Sequence, residues 1–116
     1  MFSSTTKNAE GFQFVELKDD TSKTYVTMTP SWGGILHSFN IWHNDSYINV
    51  IDSYENNEDF EKNVTAKGFK GSKLSPFACR IKNGHYNLGN DSYTIDKFYL
   101  GNNAIHGLLY DAEFTI

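Results

Sequence analysis

The sequence predicts an all-β protein, a sandwich or open sheet of antiparallel strands joined by tight hairpins. Apolar and β-branched residues come in short runs rather than long helical stretches. Turn residues separate these runs at close spacing, which leaves no room for βαβ units. Nine Phe, seven Tyr and two Trp bring the aromatic share to 16%, and aromatic side chains favour strands.

Residues 1–11 are polar and are expected to be loose. Phe12 to Leu17 reads as the first strand, closed by Lys18-Asp19-Asp20. Thr24 to Thr29 is rich in β-branched and aromatic residues and stops at Pro30-Ser31-Trp32-Gly33-Gly34. Ile35 to Trp42 alternates, which places Ile35, His37, Phe39 and Ile41 on one face and Leu36, Ser38, Asn40 and Trp42 on the other. His43-Asn44-Asp45-Ser46 then turns the chain into a strand from Tyr47 to Ile51.

Asp52 to Asn63 is acidic and reads as a connection with no core of its own, holding one short helical turn near Glu58 to Lys62. Leu74 to Ile81 is the next expected strand, and Lys82-Asn83-Gly84 is a hairpin signal. Tyr86 to Leu88 and Ser92 to Ile95 flank Gly89-Asn90-Asp91 as a second tight hairpin. Phe98 to Leu100 leads into Gly101-Asn102-Asn103. Leu108 to Ile116 is strand-like to its last residue, as in a chain cut off before its fold is complete.

A length of 116 residues allows one domain with a modest core. Hydrophobic residues at 39% and charged residues at 21% place it among globular chains. The net charge of −4 and the absence of any basic run make nucleic acid and anionic membrane poor partners. No segment is apolar for long enough to span a bilayer. The lone Cys79 cannot form an intrachain disulfide, and the first residues lack the apolar stretch of a secretory signal. A cytoplasmic protein is the expectation.

Two residues stand out chemically. Arg80 lies within an apolar run, where continuous alternation would turn Ala78 and Arg80 one way and Phe77, Cys79 and Ile81 the other. A guanidinium is permanently charged and aims several N–H donors at once, which suits sugar or carboxylate oxygens. A solvent-facing strand arginine is the plainer reading. His106, between Ile105 and Gly107, follows the Gly101-Asn102-Asn103 turn. Its imidazole can donate to or accept from a sugar hydroxyl, or it is an ordinary loop histidine.

Other groups carry less. His37 and His43 lack a third ligand, so no metal site is expected. Cys79 reads as a small buried hydrophobe. Glu55, Glu58, Asp59 and Glu61 read as a solvated connection. No phosphate-binding glycine loop, Ser-His-Asp order or zinc spacing is present, and no cofactor is implied.

The segment Ser75-Pro76-Phe77-Ala78-Cys79-Arg80-Ile81 resembles the Gly-Arg-x-Ala-Asn-Arg-Ile strand of the aldose 1-epimerases (galactose mutarotases). Gly84 and Tyr86 resemble the turn after that strand, and Tyr93 the Gly-x-x-Tyr hairpin. Asn103-Ala104-Ile105-His106-Gly107 resembles the family's Leu-His-Gly-Gly segment, and Thr24 to Phe39 its opening strands. Pro76, Cys79 and Leu108 depart from the pattern, standing where the family has arginine, asparagine and its second glycine.

The resemblance implies the N-terminal portion of a mutarotase-like β-sandwich, the large supersandwich type, over residues 1–116 as a single incomplete domain. It implies an isomerase that interconverts the α and β anomers of an aldose, with Arg80 and His106 holding sugar oxygens. The family's general-acid histidine and general-base glutamate lie later in the chain than residue 116. The 116 residues are therefore expected to be inactive alone. A carbohydrate-binding β-sandwich module that does not turn sugar over is the alternative, and a purely structural domain a third.

Overall fold

A computed structural model describes residues 1–116. Its elements run β1 (Phe2–Ala9), β2 (Phe12–Asp19), β3 (Thr24–Thr29), β4 (Ile35–His43), β5 (Ser46–Asn49) and α1 (Asn57–Asn63). The second half holds β6 (Arg80–Ile81), a 3₁₀ turn (Lys82–Gly84), β7 (His85–Leu88), β8 (Asp91–Thr94), β9 (Tyr99–Leu100) and β10 (Asn103–Ile105). The strands form three antiparallel sheets, ordered β1-β2-β3-β4-β5, β6-β10-β9 and β7-β8. The expected all-β class holds. No helix is long and apolar enough to cross a membrane.

The first sheet is a meander built by local turns. Glu10-Gly11 and Asn44-Asp45 each take positive φ at both positions, the primed turn geometry whose twist matches two-residue hairpins. Residues 2–9, expected to be loose, instead pair with β2 from Phe2↔Asp19 to Ala9↔Phe12. Every residue of β1 is exposed, so the strand carries no alternating apolar signal in its sequence. At the next turn the Asp19 carboxylate accepts from the Thr21 amide at 3.0 Å and from the Ser22 hydroxyl at 2.8 Å.

The expected alternation of β4 breaks in the middle. Thr27 faces Ser38 while Met28 faces Leu36, so His37 is an inserted residue, a β-bulge that resets the faces. Ile35 is buried before the bulge, His37 at it, and Ser38 and Asn40 after it. Phe39, expected beside Ile35, lies instead on the opposite face with Val26 and Leu17, and is 37% exposed.

The main core is Phe12, Phe14, Ile35, Tyr54 and Phe60. Tyr54 and Phe60 come from the acidic segment expected to contribute none. Asn56 caps α1, its side chain accepting from the Asp59 amide at 2.9 Å. The cap fixes the helix so that Phe60 meets Tyr54 edge-on at 5.0 Å and Trp32 at 5.0 Å. The Asp59 carboxylate, gripped by Lys67, then by the Asn63 amide and the Glu55 backbone N–H, is held down at a pKa of about 2. His37 belongs to the same core, packed on Phe14 at 4.8 Å with Nε2 donating to the Tyr54 carbonyl at 3.0 Å. No cluster of potential metal ligands forms around it or elsewhere.

Three further expectations are corrected. The Leu74 to Ile81 strand shrinks to Arg80–Ile81, since Pro76 lacks the N–H that a ladder requires and Cys79 takes a left-handed φ of +61°. Lys82-Asn83-Gly84 does turn the chain, but it passes from one sheet to another instead of closing a hairpin, because β6 pairs with β10 and β7 with β8. Residues 108–116 form no strand; Phe114 donates its amide to the Pro30 carbonyl at 2.9 Å and Gly33 donates to Ala112 at 2.6 Å. These bonds tie the last residues to the first sheet.

Candidate functional site

Strand β10 is the centre of the three-stranded sheet and brings the two sequence candidates together. Ile105 pairs with Arg80 and Ala104 with Ile81. Ala104 and Ile105 are buried, so the ladder rests on a fixed apolar base. The next residue pair continues it: the His106 amide donates to the Cys79 carbonyl at 3.0 Å. His106 and Arg80 are therefore neighbours across one short antiparallel ladder, although 25 positions of sequence separate them.

Left-handed backbone at both Cys79 (φ +61°) and His106 (φ +57°) ends the ladder and re-aims the side chains. The Cys79 amide then donates to His106 Nδ1 at 3.3 Å. A nitrogen that accepts from an amide carries no proton, so the neutral ring keeps its hydrogen on Nε2. Phe69 meets the imidazole edge-on at 4.5 Å, backed by Tyr110 at 5.1 Å, which in turn touches Phe98 at 4.3 Å. Burial raises the Tyr110 pKa, with the nearby Asp111 charge adding to it. The imidazole is thus fixed by one backbone bond and one aromatic wall, with Nε2–H making no bond inside the chain.

Behind His106, Gly107 has φ +76°, and a Cβ there would overlap the Ser75 carbonyl. That carbonyl instead accepts from the Leu108 amide at 2.7 Å. The glycine is required both by its backbone angle and by this close approach. Arg80 is exposed, and its guanidinium forms neither an ion pair nor a hydrogen bond with the rest of the chain. Its stem lies beside Ile105, and its five donors are unspent. Cys79, expected to be buried, is exposed. Its left-handed backbone lifts it out of the alternation from which burial was inferred.

An apolar cavity of about 290 Å³ adjoins β6, lined by Pro76, Phe77, Ile81, Tyr86, Ile95 and Leu108. Pro76 and Leu108 are two of the three departures from the resembled pattern, and the third, Cys79, holds His106. All three differences gather at one place in the fold. Phe69 and the Cys79 backbone are parts of the site that sequence reasoning misses. For Phe69 the signal available is one aromatic residue between Gly68 and Gly71, both in left-handed backbone.

The galactose 1-epimerase of Lactobacillus acidophilus NCFM has a solved structure similar to this one, with a TM-score of 0.65 at 20% sequence identity. The match covers 96% of this chain and 32% of that protein, so the chain spans about a third of its length. At that identity the likeness establishes the fold. No curated protein matches the sequence significantly. The sequence model of the aldose 1-epimerase family matches residues 13–116, which takes in every strand from β3 to β10 and both Arg80 and His106. The chain belongs to the aldose 1-epimerase family.

Proposed function

We propose that this chain is the sugar-holding front portion of an aldose 1-epimerase-like isomerase of hexose metabolism, with Arg80 and His106 as its substrate-binding residues. The observation that carries the reading is the bond from the Cys79 amide to His106 Nδ1. It sets the imidazole as an Nε2–H donor beside an arginine whose donors are free. A fixed imidazole donor beside a guanidinium with free donors suits the oxygens of an aldose, which offers a ring oxygen and hydroxyl lone pairs on adjacent atoms.

Anomer exchange removes the proton of the anomeric hydroxyl while the ring oxygen gains one. The ring opens, the aldehyde carbon rotates, and closure occurs on either face. A positioned base and acid accelerate both transfers. In this reading Arg80 and His106 orient and polarise the sugar, and neither is the acid or the base. Those two groups, by resemblance a histidine and a glutamate, have no counterpart within residues 1–116. The chain alone binds an aldose without accelerating its mutarotation, needs no cofactor or metal, and works in the cytoplasm.

Polarimetry with freshly dissolved α-D-glucose or α-D-galactose tests the reading together with a binding titration. The expected result is saturable binding read at the Cys79, Arg80 and His106 amides, lost there in Arg80→Ala and His106→Ala, with the spontaneous rate of rotation change left unaltered. Shifts at these three amides that survive both substitutions would remove Arg80 and His106 from the site. Mutarotation at an enzymatic rate would place an acid and a base inside these residues.

A further inference from the structure

The first sheet carries a second polar recess, far along the chain from Arg80 and His106. Register places Glu16 opposite Thr27, Thr27 opposite Ser38 and Tyr25 opposite Asn40, all on one face of β2, β3 and β4. The bulge at His37 is what turns Ser38 and Asn40 to this side. Together with Phe14 and His37 these residues line a groove of about 300 Å³, at the small end of the ~300–1,000 Å³ of small-molecule sites.

The floor of the groove is arranged but not self-satisfied. Ser38 Oγ bonds Thr27 Oγ1 at 2.7 Å and accepts from Asn40 Nδ2 at 2.7 Å. Asn40 is only 7% exposed, yet the other end of its amide, Oδ1, has no partner in the chain. His37 is 9% exposed; its Nε2 is spent on the Tyr54 carbonyl, and Nδ1 is left without a partner. Neither atom is among the polar atoms sealed from solvent. Both residues line the groove, and each leaves an acceptor that a ligand hydroxyl can use.

Charge and shape narrow the class. Lys7 pairs with Glu16, and Glu10 also lines the recess, so an anionic ligand is disfavoured there. The unmet groups are acceptors, which call for hydroxyl donors. Aromatic rings stand at both ends, Phe14 with His37 at one and Tyr25 against Tyr47 at 4.9 Å at the other. Tyr47 also packs on Trp42 at 4.9 Å. Aromatic rings beside hydroxyl-accepting groups fit the C–H faces and rim hydroxyls of a pyranose ring.

We propose that this groove is a second carbohydrate site, binding one neutral hexopyranose ring between Phe14 and Tyr25 through Asn40 Oδ1, His37 Nδ1 and Glu16. It is separate from the Arg80–His106 site and does not depend on that assignment. It holds sugar without chemistry, since Glu16 is ion-paired with Lys7 and the His37 proton is spent on the Tyr54 carbonyl.

The test is an NMR titration of the Arg80→Ala/His106→Ala chain with methyl β-D-glucoside and methyl β-D-galactoside. The expected result is saturable shifts of the His37, Ser38 and Asn40 amides with at least one glycoside. Glu16→Gln, which removes a carboxylate acceptor, and Tyr25→Leu, which removes the aromatic wall, should each weaken that binding roughly tenfold in chains that still melt cooperatively. Absence of shifts at these amides with both glycosides would overturn the proposal. So would shifts that persist undiminished in both variants. Failure of the Arg80–His106 reading would show in the unsubstituted chain at Cys79, Arg80 and His106, and leave this result standing.

Discussion

Cys79 and His106 are joined by a reciprocal pair of hydrogen bonds. The Cys79 amide donates to His106 Nδ1 at 3.3 Å, and the His106 amide donates to the Cys79 carbonyl at 3.0 Å. Two residues in left-handed backbone thereby fix both the tautomer and the position of the imidazole.

The tautomer is directly measurable. Long-range ¹H–¹⁵N correlation spectra above the imidazole's titration range should show His106 protonated at Nε2 with an unprotonated Nδ1. A ring carrying its proton on Nδ1 would mean that the Cys79 bond does not form in solution.

Gly107 and Gly89 both have positive φ, but only Gly107 lies against another part of the chain. Gly89→Ala should cost about 1–2 kcal/mol, the strain of left-handed backbone alone. Gly107→Ala should cost more, because its Cβ would also displace the Ser75 carbonyl that receives the Leu108 amide. Urea denaturation of the two variants compares them, and equal losses would remove the close approach from the account.

Much of the fold is legible in the sequence, and the failures have physical causes. Strands β2, β3 and β5 and the β7–β8 hairpin follow from β-rich runs and turn residues such as Gly89-Asn90. Strand β1 is silent because both of its faces are wet. The bulge at His37 cannot be read from β4 alone, since it exists only relative to the register of Thr27 and Met28 on β3. Acidic neighbours hide Tyr54 and Phe60. At the site, Arg80 and His106 are visible as residues, while their adjacency depends on β10 pairing with β6 and on two left-handed residues. Phe69 joins them only in three dimensions.

Phe60 gives a test of the hidden core. Its ring is 1% exposed and contacts Trp32 and Tyr54. Phe60→Ala should destabilise the chain by about 3–5 kcal/mol, enough to unfold much of a marginal domain. A loss under about 1 kcal/mol, the level of an ordinary surface change, would show that the acidic segment does not pack as described.

Asp59 sets an acid limit. Its folded pKa of about 2 lies below the ordinary 3.8, so its ionised form favours the folded chain. That contribution is full above the ordinary value and is lost as pH falls from about 4 toward about 2. Thermal melts across this range should show a fall in stability that is smaller in Asp59→Asn. The partner Lys67, raised above 10.5 by the same bond, should lose its share only at strongly alkaline pH.

Sugar binding at Arg80 and His106 is tested by titrating the unsubstituted chain with D-galactose and D-glucose and reading the Cys79, Arg80 and His106 amides by NMR. Saturable shifts are expected at all three with at least one sugar, abolished by Arg80→Ala and by His106→Ala in chains that melt normally. Amides that stay still with both sugars, or that shift equally in the two variants, would contradict that binding.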